Sequence, residues 1–167
     1  MNIVNPQTAL VSLSDKSNLN HIIDFLVKKK IKILSTGGTY NAIKKITDNV
    51  VEVSEFTGFD EMMDGRVKTL HPKIHAGILA RRDSDLELLK EKGYETIDLV
   101  IVNLYPFEET IKKDCSFEDA IENIDIGGPT MIRAAAKNFQ DVVVLSDPND
   151  YENCLLYTSP SPRDSRK

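Results

Sequence analysis

With 167 residues the chain has the length of one domain, large enough to bury a core without metal or disulfide staples. Lysine and arginine total 21 against 26 aspartates and glutamates, a formal net charge of -5. No long basic stripe offsets that balance, which argues against nucleic acid as the main partner. The two cysteines, Cys115 and Cys154, have the spacing of neither a zinc site nor a redox pair and are too few for a disulfide framework, so a reducing, cytoplasmic setting is expected. No basic segment followed by an apolar stretch opens the chain, and the longest apolar run, residues 99–102, is far too short to span a bilayer.

Five short β-branched segments read as strands: residues 8–13, 31–34, 50–53, 99–103 and 142–145. Most are continuous apolar runs of the kind buried on both faces of a sheet. Helical spacing lies between them, at Leu19, Ile22, Ile23, Leu26 and Val27, then Ala42, Ile43 and Ile46. It returns at Leu86, Leu88 and Leu89, at Phe117, Ala120, Ile121 and Ile124, and through the Ala-rich stretch 130–137. Strands joined by helices imply parallel pairing with right-handed crossovers, hence a three-layer α/β/α domain with a mainly parallel sheet. A further apolar piece, 76–79, is a candidate extra strand. Asp147 and Pro148 form an N-cap and first-turn pair for a helix running through Tyr151. From about Leu155 the sequence LLYTSPSPRDSRK has little to bury and two prolines that forbid a helix interior. The expected division is a domain over 1–153, cut short at its C-terminal end, and a non-native or disordered tail over 154–167.

In an open parallel sheet, ligands bind beyond the carboxyl ends of the strands, so residues following each strand are the ones to inspect. Ser12, Ser14 and Lys16 follow the first strand, and Ser35, Thr36, Gly37, Gly38 and Thr39 follow the second. The plain reading of either loop alone is that hydroxyls cap a helix and glycines make the turn. Together, two helix N-termini with small glycines, hydroxyls and a lysine suit a phosphate. Residues 65–72 concentrate Arg66, Lys68, Thr69, Leu70 and His71 in a segment without periodicity, as functional loops do. Lys68 could stabilise developing negative charge or release a proton. Asn103 and Tyr105 leave the fourth strand at the same edge, either as an aromatic plug or as site residues. Asp125, Ile126 and Gly127 precede a helix that ends at Lys137, and Asp125 reads equally as a capping acid.

The blocks SLSDK (12–16), STGGT (35–39), EFTGFDEMMDGRVKTLHPKIHAGILAR (55–81), NLYPF (103–107) and IDIGGPTMIRAAAKN (124–138) stand in a characteristic order. In them the chain resembles the cyclohydrolase part of the bifunctional AICAR transformylase/IMP cyclohydrolases from about Thr8 to Tyr151, with Phe56 where leucine is usual. The resemblance implies a methylglyoxal-synthase-like fold and an enzyme closing the purine ring of 5-formamidoimidazole-4-carboxamide ribonucleotide, with loss of water, to give inosine monophosphate. It implies no cofactor and no metal for that step. In such proteins 10-formyltetrahydrofolate serves a separate transformylase domain, and the parent is a homodimer. The implied roles are phosphate and ribose binding by Ser12, Ser14, Lys16, Ser35, Thr36, Gly37, Gly38 and Thr39, with Arg66, Leu70, His71 and Asn103 as further substrate contacts. Lys68, Thr69 and Tyr105 would line the formyl group, with Tyr105 and Lys68 handling the proton on its oxygen. Asp125 and Lys137 would orient and deprotonate the carboxamide, with the backbone of Ile126 and Gly127 against the base. Two other readings share the phosphate loops. Methylglyoxal synthase should not need GRVKTLHP or NLYPF, and a nucleotide-binding regulatory domain like that of carbamoyl phosphate synthetase would leave the Lys68/Tyr105 and Asp125/Lys137 pairs idle.

Overall fold

A run of leucine, isoleucine and valine with no polar interruption can be buried only where both faces of a strand are covered. In the computed structural model, which describes residues 4–113 and 115–153, β1 (Thr8–Leu13), β2 (Lys32–Ser35), β3 (Val50–Glu52), β4 (Leu99–Asn103) and β5 (Val143–Leu145) meet that condition. They form one parallel sheet in the order β3-β2-β1-β4-β5. Side chains alternate between the two faces as the strand period of two requires. Ala9, Val11, Leu13, Ile33, Leu99 and Ile101 point to one side, where α1 (Leu19–Lys28) and α2 (Gly37–Lys44) cover them with Leu19, Ile22, Ile23, Leu26 and Ile43. Leu10, Leu34, Val100 and Val102 point to the other, packed by α3 (Val53–Thr57), α4 (Pro72–Leu79) and α8 (Gly127–Lys137) through Val53, Phe56, Ile74, Ile78, Met131, Ala134 and Ala135. Each fully buried Leu, Ile or Val contributes roughly 1.5–3 kcal/mol. The expected three-layer α/β/α architecture is therefore the one the chain adopts.

Residues 76–79, expected as a candidate strand, are instead the second half of α4. His71 caps that helix by accepting a hydrogen bond at Nδ1 from the Lys73 N–H (3.1 Å), and Pro72 occupies the first turn. Ile74 and Ile78 then bury at helical spacing. Val53, expected at the end of the third strand, opens α3, which stops at Gly58 in the left-handed region (φ 70°). Three further short helices among the described residues are α5 (Leu86–Glu91), α6 (Phe107–Lys112) and α7 (Phe117–Glu122). Neither α6 nor α7 buries a residue, and Phe117 is 76% exposed. The helical spacing gives a real helix over 117–122, but its apolar face stays largely exposed among the described residues. Pro148–Asp150 is a 3-10 turn capped by Asp147 that passes directly into helical residues 151–153, so the expected helix does run through Tyr151, which is buried. Cys154 and the expected tail lie outside the described residues.

The two edges of the sheet differ in kind. At the amino edge, Asp98 is buried and saturated, accepting from the Gln7 and Thr8 N–H groups at 2.9 and 3.2 Å and pairing with Arg82 at 3.1 Å. A buried charge fully met in this way holds structure. The carboxyl edge carries loops instead.

His75, on α4, has its Nε2 buried with no hydrogen-bond partner among the described residues. Burial pushes this imidazole below its ordinary pKa of 6.5, with the Thr69 backbone beside it pulling the other way. A histidine that resists protonation when folded contributes stability above the unfolded pKa, and that contribution is lost as pH falls below it. Urea unfolding at pH 7.5 and 5.5 is expected to give a lower midpoint at pH 5.5, and the drop should shrink in His75→Leu. An equal drop in that variant would place the pH sensitivity elsewhere.

Candidate functional site

The sheet order reverses direction between β1 and β4: β2 and β3 lie on one side of β1, β4 and β5 on the other. The loops after β1 and β4 therefore diverge and leave a crevice at their carboxyl ends, where ligands bind in folds of this kind. A cavity of about 570 Å³ sits there, inside the range of roughly 300–1,000 Å³ typical of small-molecule sites.

Its walls bring together most of the residues singled out from sequence. Ser12, Ser14 and Lys16 come from the loop after β1, and Thr36, Gly37, Gly38 and Thr39 from the start of α2. Arg66, Lys68, Thr69 and Leu70 come from the irregular loop before α4, Asn103 and Tyr105 from the end of β4, and Asp125, Ile126 and Gly127 from the start of α8. Thr36, the N-cap of α2, makes no capping hydrogen bond with its side chain, so it leaves that helix terminus uncapped toward the cavity.

Several of these residues act as architecture. The Asn103 side chain accepts from the Ser14 and Asp15 N–H groups (2.7 and 3.0 Å) and donates to the Asp15 carbonyl (2.7 Å), which spends it on shaping the 12–16 loop. Thr39 accepts from the Leu13 N–H and donates to the Leu13 carbonyl, tying α2 to the end of β1. Lys16 Nζ donates to the Leu13 carbonyl at 3.2 Å. Asp125 does serve as a cap, its Oδ1 accepting from the Gly128 N–H at 2.9 Å. Its Oδ2 makes no hydrogen bond among the described residues. Thr69 is buried with its hydroxyl so close to Gly127 that a Cβ there would stand 2.7 Å from Oγ1, so the bare backbone of α8 lies directly on Thr69.

Three expected contacts lie elsewhere. Ser35 is fully buried inside the sheet, its hydroxyl donating to the Val11 carbonyl at 2.7 Å, because β2 continues one residue further than expected. His71 does not line the cavity. Its ring is committed to capping α4 and rests against Phe59 at a centroid distance of 5.7 Å. Lys137, expected beside Asp125, is exposed at the last residue of α8, whereas Gly127 at the first residue faces the cavity. An 11-residue helix is about 16 Å long. Within one chain the two groups are therefore held apart.

The cavity also includes residues that sequence reasoning passed over: Asp64, Val102, Ile121, Glu122, Asn123, Ile124 and Met131. Glu122, from α7, pairs with Arg66 through Nε (3.2 Å) and Nη2, joining two walls 56 residues apart in sequence. The acidic partner holds the Arg66 guanidinium in its charged form, and the same contact holds Glu122 below the usual carboxylate range. Among the described residues no group of three or more His, Cys, Asp or Glu is placed to hold a metal ion. No described helix is long and apolar enough to cross a membrane.

Comparison with known proteins gives a consistent picture. The family model described as MGS-like domain matches residues 18–130. The chain is 58% identical over 149 residues to the bifunctional purine biosynthesis protein PurH of Clostridium acetobutylicum, covering 88% of this chain and 30% of that protein. It is 58% identical over 147 residues to the protein of the same name from Fusobacterium nucleatum, covering 87% of this chain and 29% of that one. A solved structure, described as the crystal structure of ForH, superposes with a TM-score of 0.76 at 36% identity, covering 90% of this chain and 78% of the other. The chain thus spans about 30% of the length of the curated relatives it matches.

Proposed function

The chain belongs to the MGS-like domain family, and on that premise we propose that it is an inosine monophosphate cyclohydrolase, closing the purine ring of 5-formamidoimidazole-4-carboxamide ribonucleotide. One observation carries the reading: a single cavity joins the phosphate-suited loops after β1 and β2 to Lys68, Thr69, Tyr105 and Asp125 from three further segments. A phosphate cradle alone would serve any small phosphorylated ligand. The second set is what ring closure requires.

In the proposed reaction the carboxamide nitrogen attacks the formyl carbon, and the formyl oxygen departs as water. Across the sequence the carboxamide nitrogen loses one proton, the formamido nitrogen loses another, and the departing oxygen gains both, so the step is a dehydration with no change of oxidation state and no need of an electron or group carrier. Asp125 Oδ2 accepts the carboxamide proton. The Lys68 ammonium stabilises charge developing on the formyl oxygen, and the Tyr105 hydroxyl assists its protonation. Thr69 and the Gly127 backbone set the plane of the base. The reacting groups already share one molecule, so holding the formyl group against the carboxamide nitrogen supplies much of the acceleration. The phosphate rests on the α2 N-terminus with Ser12, Ser14 and Lys16. Lys137 takes no part within this chain.

The same reading places formyl transfer from 10-formyltetrahydrofolate in the remaining length of the bifunctional relatives, and it includes a homodimeric parent in the cytoplasm. The test is a spectrophotometric assay with the formamido ribonucleotide, following inosine monophosphate against an enzyme-free control. Formation of the product is expected. A folded protein that binds the nucleotide without converting it would instead support a regulatory binding domain, and release of phosphate from dihydroxyacetone phosphate would support methylglyoxal synthase.

A further inference from the structure

We propose that Glu61, which lies outside the substrate cavity, is the positioning residue for Lys68. This inference rests on the cyclohydrolase reading for its effect on turnover, but not for the pairing itself. Residues 62 and 67 form an antiparallel bridge, the Met62 N–H donating to the Val67 carbonyl at 3.0 Å and the Val67 N–H to the Met62 carbonyl at 3.3 Å. In such a ladder the next opposed pair is 61 and 68. Glu61 Oε2 stands 3.0 Å from Lys68 Nζ accordingly.

The turn that imposes this register is conformationally expensive. Met63, Asp64 and Gly65 are all left-handed, at φ 56°, 54° and 88°. Only the last is glycine; aspartate tolerates that region, but methionine disfavours it. Gly65 is also where the lysine must pass: a Cβ there would lie 2.5 Å from Lys68 Cε. Further on, the ammonium reaches Gly37, also left-handed, where a Cβ would stand 3.3 Å from Nζ. The lysine stem is therefore threaded across two bare backbone positions and held at its tip by one carboxylate.

That tip lies in the wall between two cavities. Lys68 lines the substrate cavity and also a second one of about 310 Å³, which includes Glu61, Asp60 and Glu52. Glu61 approaches from the second side only, so it fixes the ammonium without occupying substrate space. The other cations of the substrate cavity are restrained differently, Lys16 by carbonyls and Arg66 by Glu122. The pairing thus singles out the one lysine assigned to the reacting oxygen.

The experiment combines a chemical and a kinetic readout on Glu61→Gln, which keeps the shape and removes the charge. Acetic anhydride labelling, mapped by peptide mass spectrometry, is expected to modify Lys68 severalfold faster in the variant, with Lys28 unchanged as an internal reference. Turnover of the formamido ribonucleotide is expected to fall about tenfold with little change in KM, as for a misplaced reacting group. In a Lys68→Met background, read by single turnover with enzyme in excess, the same substitution should have no further effect. Unchanged labelling would overturn the pairing. Faster labelling with wild-type turnover, or an equal loss in the Lys68→Met background, would overturn the positioning role. A wild-type protein that labels as expected but forms no inosine monophosphate would reject the cyclohydrolase reading and leave the pairing standing.

Discussion

Replacing Lys68 by methionine is expected to lower the turnover number for the formamido ribonucleotide by about 10²–10³-fold, equivalent to about 2.7–4 kcal/mol of transition-state stabilisation. Methionine is chosen because the lysine stem packs over Gly65 and Gly37, and a residue of similar length keeps that packing while deleting the charge. The magnitude follows from where the ammonium sits. Its side chain is 29% exposed, so the field it exerts on the cavity is less screened than that of a surface lysine. The formyl oxygen carries little charge in the ground state and much more once the carboxamide nitrogen has added. A fixed positive group therefore stabilises the transition state more than the bound substrate. The loss should accordingly appear in kcat, with KM changed little. Steady-state kinetics on the purified variant, with thermal unfolding to show that it folds, make the check. A variant within threefold of wild type in kcat would remove Lys68 from the reaction.

Part of the cavity wall was legible in the sequence because the first, second and fourth predicted strands each end in a loop with its own chemistry. The position of a buried apolar run fixes where its carboxyl edge falls, and Ser12, Thr36, Asn103 and Tyr105 all lie at that edge. Residue roles were less legible, because a side chain's hydrogen-bond partner depends on register. Ser35 looked like a loop hydroxyl, yet β2 runs one residue further and turns it toward the Val11 carbonyl. Asn103 looked like a ligand contact, yet it spends its amide on the 12–16 loop. Lys137 was misplaced for a simpler reason. Asp125 and Lys137 are 12 positions apart, and helix α8 converts that separation into length rather than proximity. Glu61 was hidden for another reason. A left-handed turn at Met63 and Asp64 folds residues seven apart against each other, and the Asp64-Gly65 pair signals a turn without saying that Glu61 and Lys68 face each other across it.

The sheet was read almost residue for residue, since continuous Val, Ile and Leu runs leave few alternatives. The failure at residues 76–79 shows where that signal stops. Four small or apolar residues in a row suit a strand or a buried helix equally, and length arbitrates only when the helix start is recognised. The start lies at His71 and Pro72, where His71 reads in sequence as a substrate contact rather than as a cap. Helices α6 and α7 make the complementary point. Helical spacing at 117–124 correctly gave a helix, but periodicity says only which face is apolar, not whether anything covers it.

Tyr151→Ala is expected to destabilise the protein by about 3–5 kcal/mol, whereas Tyr151→Phe should change stability by less than about 1 kcal/mol. The ring is 1% exposed and belongs to the cluster that packs α1 against the sheet with Leu19, Ile22 and Ile23. Removing it opens a void that a close-packed interior fills poorly. The hydroxyl is a different matter. It is buried beside the Asn103 side chain without a hydrogen bond of ordinary geometry among the described residues. Burial pushes the phenol above its ordinary pKa, so it stays neutral across the working range. Deleting a buried group that gains no partner removes a desolvation cost along with the atom, which is why phenylalanine should be tolerated. The position also bears on the site. Asn103 holds the Ser14 and Asp15 backbone, so alanine at 151 should weaken nucleotide binding as well as stability, and phenylalanine should leave binding intact. Denaturant unfolding together with calorimetric titration of inosine monophosphate separates these outcomes. If phenylalanine proves as costly as alanine, the hydroxyl rather than the ring is what the fold depends on.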